Sequence, residues 1–387
     1  MIYFVLSTLV VLLGFWILFW LHNRYQLDIL VEPVSTAHPL PFISICIPAR
    51  NEERNIRDCV QSALLQSYRD YEVVIVDDQS TDGTSKILTQ LSLLSNRLKV
   101  IPGLDLPDGW AGKPFALHQA VTNSKGEWLC FVDADTFLAP EALSSCYLKA
   151  VETGADLFTV MTRQIMCSFW EKVVMPIVMT ALSVGFSPRR VNNPNLPDAI
   201  ANGQFILIKR TVYEAVGGHS RIKDKIVEDK ALAELVKSSG YRLILADGSH
   251  LVSTRMYTSL ADMWEGWTKN IYLGLSDQLK LLFLGVLGVN LSVLAALFLP
   301  IWPVLAYLWW LKTGNSLAFA IGTEAMVFWL AILVLRGLTA LRMGIPIWYA
   351  FTTPLGAGIF AAMMVTSAWK VISGRGVSWK GRIYKPK

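Results

Sequence analysis

Apolar residues along this chain fall into distinct patterns, each predicting a different environment. Residues 2–21 run without a single charge. A run of about 20 residues, rising roughly 1.5 Å per residue, matches a hydrocarbon core of roughly 30 Å and reads as a spanning helix. A cleaved signal peptide would need a basic stretch before the apolar run and small residues after it. Here the run starts at once and bulky His22, Asn23, Arg24 and Tyr25 follow, which favours a retained anchor. Arg24 then places the next segment in the cytoplasm by the positive-inside rule. Between residues 279 and 370 charges are sparse again, and residues 279–311, 317–335 and 345–369 are the lipid-facing candidates. Pro300 and Pro303 either kink one long helix or turn a hairpin. The choice decides topology: three crossings would leave the tail outside, whereas two or four leave it inside.

The stretch between these regions alternates short apolar strands with helical spacings. Residues 42–47 form an apolar strand stopped by Pro48, and Ile56, Val60, Ala63, Leu64 and Leu65 then recur at helical spacing to about residue 67. Residues 71–76 are a second strand, Ile87, Leu88, Leu91 and Leu94 mark a helix, and residues 99–101 are a third strand. Further strands are expected over 128–132 and 156–161. Strand and helix in alternation imply a parallel, doubly wound α/β sheet. Ligands bind such sheets at the carboxyl ends of the strands, so the polar clusters at Glu52, Asp77/Asp78 and Asp133/Asp135, each directly after a strand, should converge on one crevice. Residues 172–186, apolar but too short to span, read as a buried helix or as a piece lying in the membrane interface.

Composition supports this division. Hydrophobic residues are 53% of the 387 and charged residues only 17%, which is too apolar for an ordinary water-soluble domain. The net charge of +5 hints at nucleic acid until it is located: Lys370, Arg375, Lys380, Arg382, Lys385 and Lys387 supply six positive charges with no acid among them. A basic tail beside a spanning helix suits an anionic inner leaflet, so a membrane is the expected partner and nucleic acid is not. It also favours the topologies that keep the tail inside. Cys46, Cys59, Cys130, Cys146 and Cys167 show neither CxxC nor Cys/His spacing and read as reduced core thiols. The organisation expected is residues 1–23 as anchor, 24–41 as linker, 42–278 as catalytic domain, 279–370 as transmembrane helices and 371–387 as a basic cytoplasmic tail.

Asp133-Ala134-Asp135 places two hard oxygen ligands together at a strand end, a pattern for magnesium or manganese holding a diphosphate; alone it also describes an ordinary loop. Asp77-Asp78 reads as a solvated turn or as a pair that accepts hydrogen bonds from a nucleoside. Lys113, after Gly112 in the Trp110–Pro114 stretch, is either a surface lysine or a loop cation that neutralises a diphosphate. Glu228 and Asp229 open a helix, where acids are favourable, but Asp229 is equally placed to be a general base for an acceptor hydroxyl.

Taken in order, Pro48-Ala49-Arg50-Asn51-Glu52-Glu53, Val76-Asp77-Asp78-Gln79-Ser80, Asp133-Ala134-Asp135 and Glu228-Asp229 resemble family 2 glycosyltransferases over about residues 42–275. The Gly109–Lys113 loop, Arg255-Met256-Tyr257, Trp264 to Asn270 and the final Gly376 to Arg382 are similar to the membrane branch that glycosylates lipids, of the carotenoid, hopanoid-associated and ceramide types. The resemblance implies a GT-A fold, a doubly wound, Rossmann-like mixed sheet. It assigns Ala49, Glu52, Asp77 and Asp78 to the nucleoside, Lys113 and Asp133 to the donor phosphates, Asp135 with Asp133 to a divalent metal, and Asp229 to base catalysis. The implied reaction is inverting transfer from a nucleotide-sugar, UDP-glucose by default, to a hydrophobic lipid alcohol at the cytoplasmic face of the inner or plasma membrane. Transfer to a polyprenyl phosphate and an inactive scaffold of the same fold are the alternatives. The Gln-x-x-Arg-Trp string of many processive relatives is absent; Trp267 and Lys269 stand in roughly that region.

Overall fold

A computed structural model describes residues 8, 12, 27, 29–34, 40–185, 187–275, 301–379 and 382–384. Most of the expected N-terminal anchor and of the linker, the segment 276–300 and the end of the basic tail lie outside the described residues. The chain forms two compact units, one of Gln26–Ile165 and Phe186–Met256, the other containing Met166–Gly185 and Tyr257–Lys387.

The first unit is built on a seven-stranded sheet. Its strands are β1 (Ile43–Ala49), β2 (Tyr71–Asp77), β3 (Leu98–Pro102), β4 (Trp128–Phe131), β6 (Leu157–Met161), β8 (Ile206–Lys209) and β9 (Leu243–Asp247); β5 (Thr136–Leu138), β7 (Arg163–Gln164) and β10 (Val252–Thr254) form a small second sheet. The order across the large sheet is β3-β2-β1-β4-β8-β6-β9, and β8 alone runs against its neighbours. The sheet is therefore mixed, with one reversed strand in the parallel array that alternation predicts. The chain leaves β1 toward β2 and β3, then returns to β4 on the other side of β1. That reversal opens a crevice above the carboxyl ends of β1 and β4, where such folds bind ligands.

Period-two alternation divides the core between the two faces. Ile43, Ile45, Ile47, Val73 and Ile75 pack with the Ile56–Leu64 helix on one face. Cys46, Val74, Val76 and Leu129 pack on the other with Ala116, Leu117 and Ala120 of the Gly112–Thr122 helix and Leu232, Ala233 and Val236 of the Glu228–Ser238 helix. Both of those helices thus begin at the crevice end of one face.

Pro48 does not stop β1, which continues through Pro48 opposite Val76 and Ala49 opposite Asp77. The Cys46 carbonyl accepts from Val132 N–H, so Pro48, two residues on, turns its nitrogen toward the same β4 side, where the ladder has already ended at Phe131. A missing N–H costs nothing there. Residues 29–34, inside the expected linker, lie along β9: Leu30 bridges Asp247, and Val31 N–H donates to the Asp247 carbonyl at 2.9 Å.

In the second unit, Ser316–Arg342 and the continuous helical stretch Ile347–Lys370 are long and apolar enough to cross a membrane. A further helix, Ile301–Thr313, carries Pro303 in its first turn, where the missing N–H is harmless. The stretch expected over 172–186 is the Phe169–Gly185 helix. It packs on Thr353–Ile372 so closely that a Cβ on Gly356 would lie 2.3 Å from the Val173 carbonyl oxygen. Cys46, Cys59, Cys130 and Cys146 are buried free thiols and Cys167 is an exposed one.

Candidate active site

The loops after β1 and β2 hold each other. Asn51 N–H donates to Ser80 Oγ at 3.0 Å, Glu52 N–H to Thr84 Oγ1 at 2.7 Å, Thr81 N–H to Asn51 Oδ1 at 2.8 Å and Gly83 N–H to Glu53 Oε2 at 2.8 Å. Asn51 and Gln79 take left-handed backbone conformations, φ 52° and 56°, which side chains other than glycine seldom adopt. Ala49 contributes its carbonyl, which accepts from Asp78 N–H at 2.7 Å. Asp77 is occupied within its own turn: Oδ1 accepts from Ser80 N–H at 3.2 Å and Oδ2 from the Ser85 hydroxyl. Asp78 is buried beside it. Ala49, Glu52, Asp77 and Asp78 therefore stand together at one edge of the sheet, with Asp77 engaged in shaping the loop.

Lys113, Asp133 and Asp229 line one cleft with Pro48, Gly203 and His219. Lys113 does not sit in a loop, as its Gly-rich surroundings suggest; it is the second residue of the Gly112–Thr122 helix. A lysine there opposes the helix dipole, whose amino end is already positive. The opposition is relieved by acids: Lys113 Nζ lies 2.6 Å from Asp133 Oδ1 and 2.6 Å from Glu228 Oε1. Asp229 Oδ2 accepts from Gly203 N–H at 3.1 Å and Oδ1 from Lys230 N–H at 2.7 Å, which fixes its carboxylate plane. A Cβ on Gly203 would come within 3.0 Å of Lys113 Nζ and 3.2 Å of Asp229 Oδ2, so any larger residue here would push the cluster's charged ends aside by a few tenths of an ångström. Asp135 follows Asp133 just before β5, and its carbonyl accepts from Thr254 Oγ1 at 3.0 Å.

Three carboxylates face one ammonium. Burial opposes the charge on Lys113, but Asp133, Glu228 and Asp229 outweigh it and hold its pKa well above that of an ordinary lysine. Burial pushes the Glu228 carboxyl up from 4.5 to about 7; Lys113 counteracts this, while Asp229 and Asp133 reinforce it. The folded protein therefore keeps a proton on Glu228 that the unfolded chain releases, and its stability falls as pH rises from about 4.5 to about 7. Glu228→Gln mimics the neutral form. Thermal unfolding of the donor-free variant across that window is expected to show a flatter pH slope than the wild type; an unchanged slope would remove Glu228 as its source.

Glu228, Gly203 and His219 are site residues that sequence reasoning did not assign. Glu228 was overshadowed by its neighbour Asp229, and the turn-forming Asn202-Gly203 pair was the available signal for the close approach. His219 is buried against Phe131 and lines the cleft, and its Nδ1 shares a hydrogen bond with the Tyr213 hydroxyl at 2.9 Å. Burial, then the charges of Lys113 and His118, push it down to about 3, so its ring is neutral. Trp267 of the second unit is buried and packs edge-on against Tyr257 at 6.0 Å.

A mixed, doubly wound sheet with acids at the carboxyl ends of β1, β2 and β4 is the GT-A architecture. Residues 44–217 match the glycosyl transferase family 2 model, in line with the resemblance read from the motifs. The 4,4'-diaponeurosporenoate glycosyltransferase of Staphylococcus aureus is 32% identical over 238 residues, covering 60% of this chain and 61% of its own length. The chain thus aligns with about three fifths of the curated relatives it matches. Among solved structures, the mannosyltransferase PcManGT from Pyrobaculum calidifontis, in complex with GDP-Man and Mn2+, shares 18% identity and a TM-score of 0.54 over 95% of this chain and 97% of its own, a likeness of fold.

Proposed function

We propose that this chain is an integral membrane glycosyltransferase that moves a sugar, by default glucose from UDP-glucose, to a hydrophobic lipid alcohol at the cytoplasmic membrane face with inversion at the anomeric carbon. The observation that carries the reading is the grouping of Lys113, Asp133, Glu228 and Asp229 around one cleft beside the interlocked loops of β1 and β2. The carotenoid-type relative supports a lipid-related acceptor.

Ala49, Glu52 and Asp78, on the interlocked loops, would bind the nucleoside, with Asp77 setting the loop's shape. Lys113 would exchange one of its two carboxylates for the diphosphate, where its charge and the helix amino end both favour an anion. Asp229, held by two backbone N–H groups, would accept the acceptor hydroxyl's proton at one carboxylate oxygen as the oxygen attacks opposite the diphosphate. Among the described residues no three His, Cys, Asp or Glu side chains are grouped to hold a metal. Asp133 and Asp135 would hold a magnesium or manganese ion together with diphosphate oxygens and water, hard oxygen donors that suit such a cation. Such an ion would neutralise charge on the departing diphosphate.

The test is a donor screen of the full chain in nanodiscs: UDP-glucose, UDP-galactose, UDP-N-acetylglucosamine and GDP-mannose with manganese or magnesium, a host lipid extract as acceptor, and mass-spectrometric detection of products. A metal-dependent glycolipid that disappears in Asp135→Ala is expected. Silence with every donor, in transfer and in donor hydrolysis alike, would favour the inactive scaffold.

A further inference from the structure

The second unit contains a pocket that sugar transfer does not use. Lys172, Pro176, Arg336, Ala340, Tyr349 and Thr353 form much of its wall, contributed by the Phe169–Gly185, Ser316–Arg342 and Thr353–Ile372 helices and by the 3-10 turn Ile347–Thr352.

Among the described residues, two cations and no acid line this pocket. Arg336 belongs to a helix apolar enough to cross a membrane, and its guanidinium reaches only hydroxyls: Nε donates to Thr353 Oγ1 at 3.3 Å and an Nη to Thr180 Oγ1 at 3.2 Å. Lys172 Nζ stands 5.9 Å from the centre of the Tyr349 ring. Among the described residues, neither cation pairs with a carboxylate. The acid next to Lys172 is committed elsewhere: Glu171 accepts from the backbone N–H groups of Cys167 and Ser168 at the start of its own helix. A charge in a spanning helix is costly unless it meets a counter-charge or a polar cavity. Among the described residues the pocket thus holds two positive charges and no counter-charge.

Aromatic residues indicate the depth at which that ligand sits. Trp348 stacks on Tyr349 at 3.9 Å, Phe169 lies 6.0 Å from Tyr349, and Trp348 is 52% exposed. Exposed tryptophan and tyrosine clusters mark the level of lipid headgroups. Arg336 is six residues from the end of its helix, about 9 Å at roughly 1.5 Å per residue, which also sets it near that level rather than at mid-bilayer.

We propose that this pocket binds the phosphate of an anionic membrane lipid, with Arg336 and Lys172 as its counter-ions. Basic pockets between spanning helices recognise lipid headgroups by this chemistry. The site concerns binding alone and does not depend on which sugar, if any, the first unit transfers.

The test uses the full chain in detergent, delipidated and then offered equal amounts of phosphatidylglycerol and phosphatidylcholine, with retained lipid read by native mass spectrometry. Phosphatidylglycerol is expected to be retained at least about tenfold over phosphatidylcholine, a preference that shrinks with added salt. Lys172→Gln/Arg336→Gln is expected to bring the two lipids to parity, and Lys172→Gln alone, a milder change, to weaken the preference several-fold. Equal retention by the wild type, or an undiminished preference in Lys172→Gln, overturns the proposal. An inorganic phosphate arm separates the sources: lipid displaced completely by millimolar phosphate would make the ligand a soluble anion and overturn its assignment to lipid.

Discussion

Asp229→Asn is expected to lower the rate of transfer to an alcohol acceptor by about 10²–10⁴-fold, the usual contribution of a positioned general base. The donor's KM should move little, because Asp229 lies at the start of the Glu228–Ser238 helix and takes no part in the interlocked loops. The geometry explains why asparagine is a demanding probe. Both Asp229 oxygens accept backbone N–H groups, from Gly203 and Lys230, so the amide nitrogen of asparagine must face one of these donors. A modest loss of stability, about 1 kcal/mol, should accompany the loss of rate. Product formation and donor binding, measured on the same preparation, separate the two effects. A phosphate acceptor supplies the second arm. Its oxygen is already ionised and needs no base, so transfer to polyprenyl phosphate should survive the substitution. Full retention of alcohol transfer would remove Asp229 as the base.

The second large effect is expected at Lys113. Lys113→Met keeps the length and apolar stem of the side chain but leaves Asp133, Glu228 and Asp229 facing one another without a cation. Two consequences follow from the one change. Transfer should fall by about 10²–10³-fold, the scale of losing one preorganised charge stabiliser of a leaving group. The donor-free protein should also unfold at lower temperature at pH 8 than the wild type, with the gap narrowing toward pH 5 as Glu228 takes up its proton. Steady-state kinetics and thermal unfolding at the two pH values check both. A kinetic defect confined to the acceptor's KM would place Lys113 away from the diphosphate.

Much of this architecture was legible because the sheet is buried on both faces. Strands such as Tyr71–Asp77 and Trp128–Phe131 announce themselves as short apolar runs, and each acid cluster follows one directly. Other features depend on tertiary context. The reversed direction of Ile206–Lys209 cannot be read from an apolar run, since buried parallel and antiparallel strands share that composition. Pro48 looked like a terminator because propensity does not say on which side a neighbouring strand has already ended. At the site, the motifs located Lys113 and Asp133 separately, but the 2.6 Å bridge from Lys113 to Glu228 joins residues far apart in sequence. Asp77 looked as available as Asp78; only the positions of Ser80 and Ser85 reveal that its two oxygens are committed within the turn.

The mutual locking of the β1 and β2 loops bears on the heat and entropy of recognition. Asn51 and Gln79 already hold left-handed backbone conformations, and reciprocal hydrogen bonds tie one loop to the other. Chain ordering at this end of the cleft was completed when the protein folded, so a nucleoside bound there, as proposed, would leave little further ordering to lose. Base selection would then rest on the fit of a rigid mould, and a wrongly shaped base would forfeit hydrogen bonds that the loops cannot move to recover.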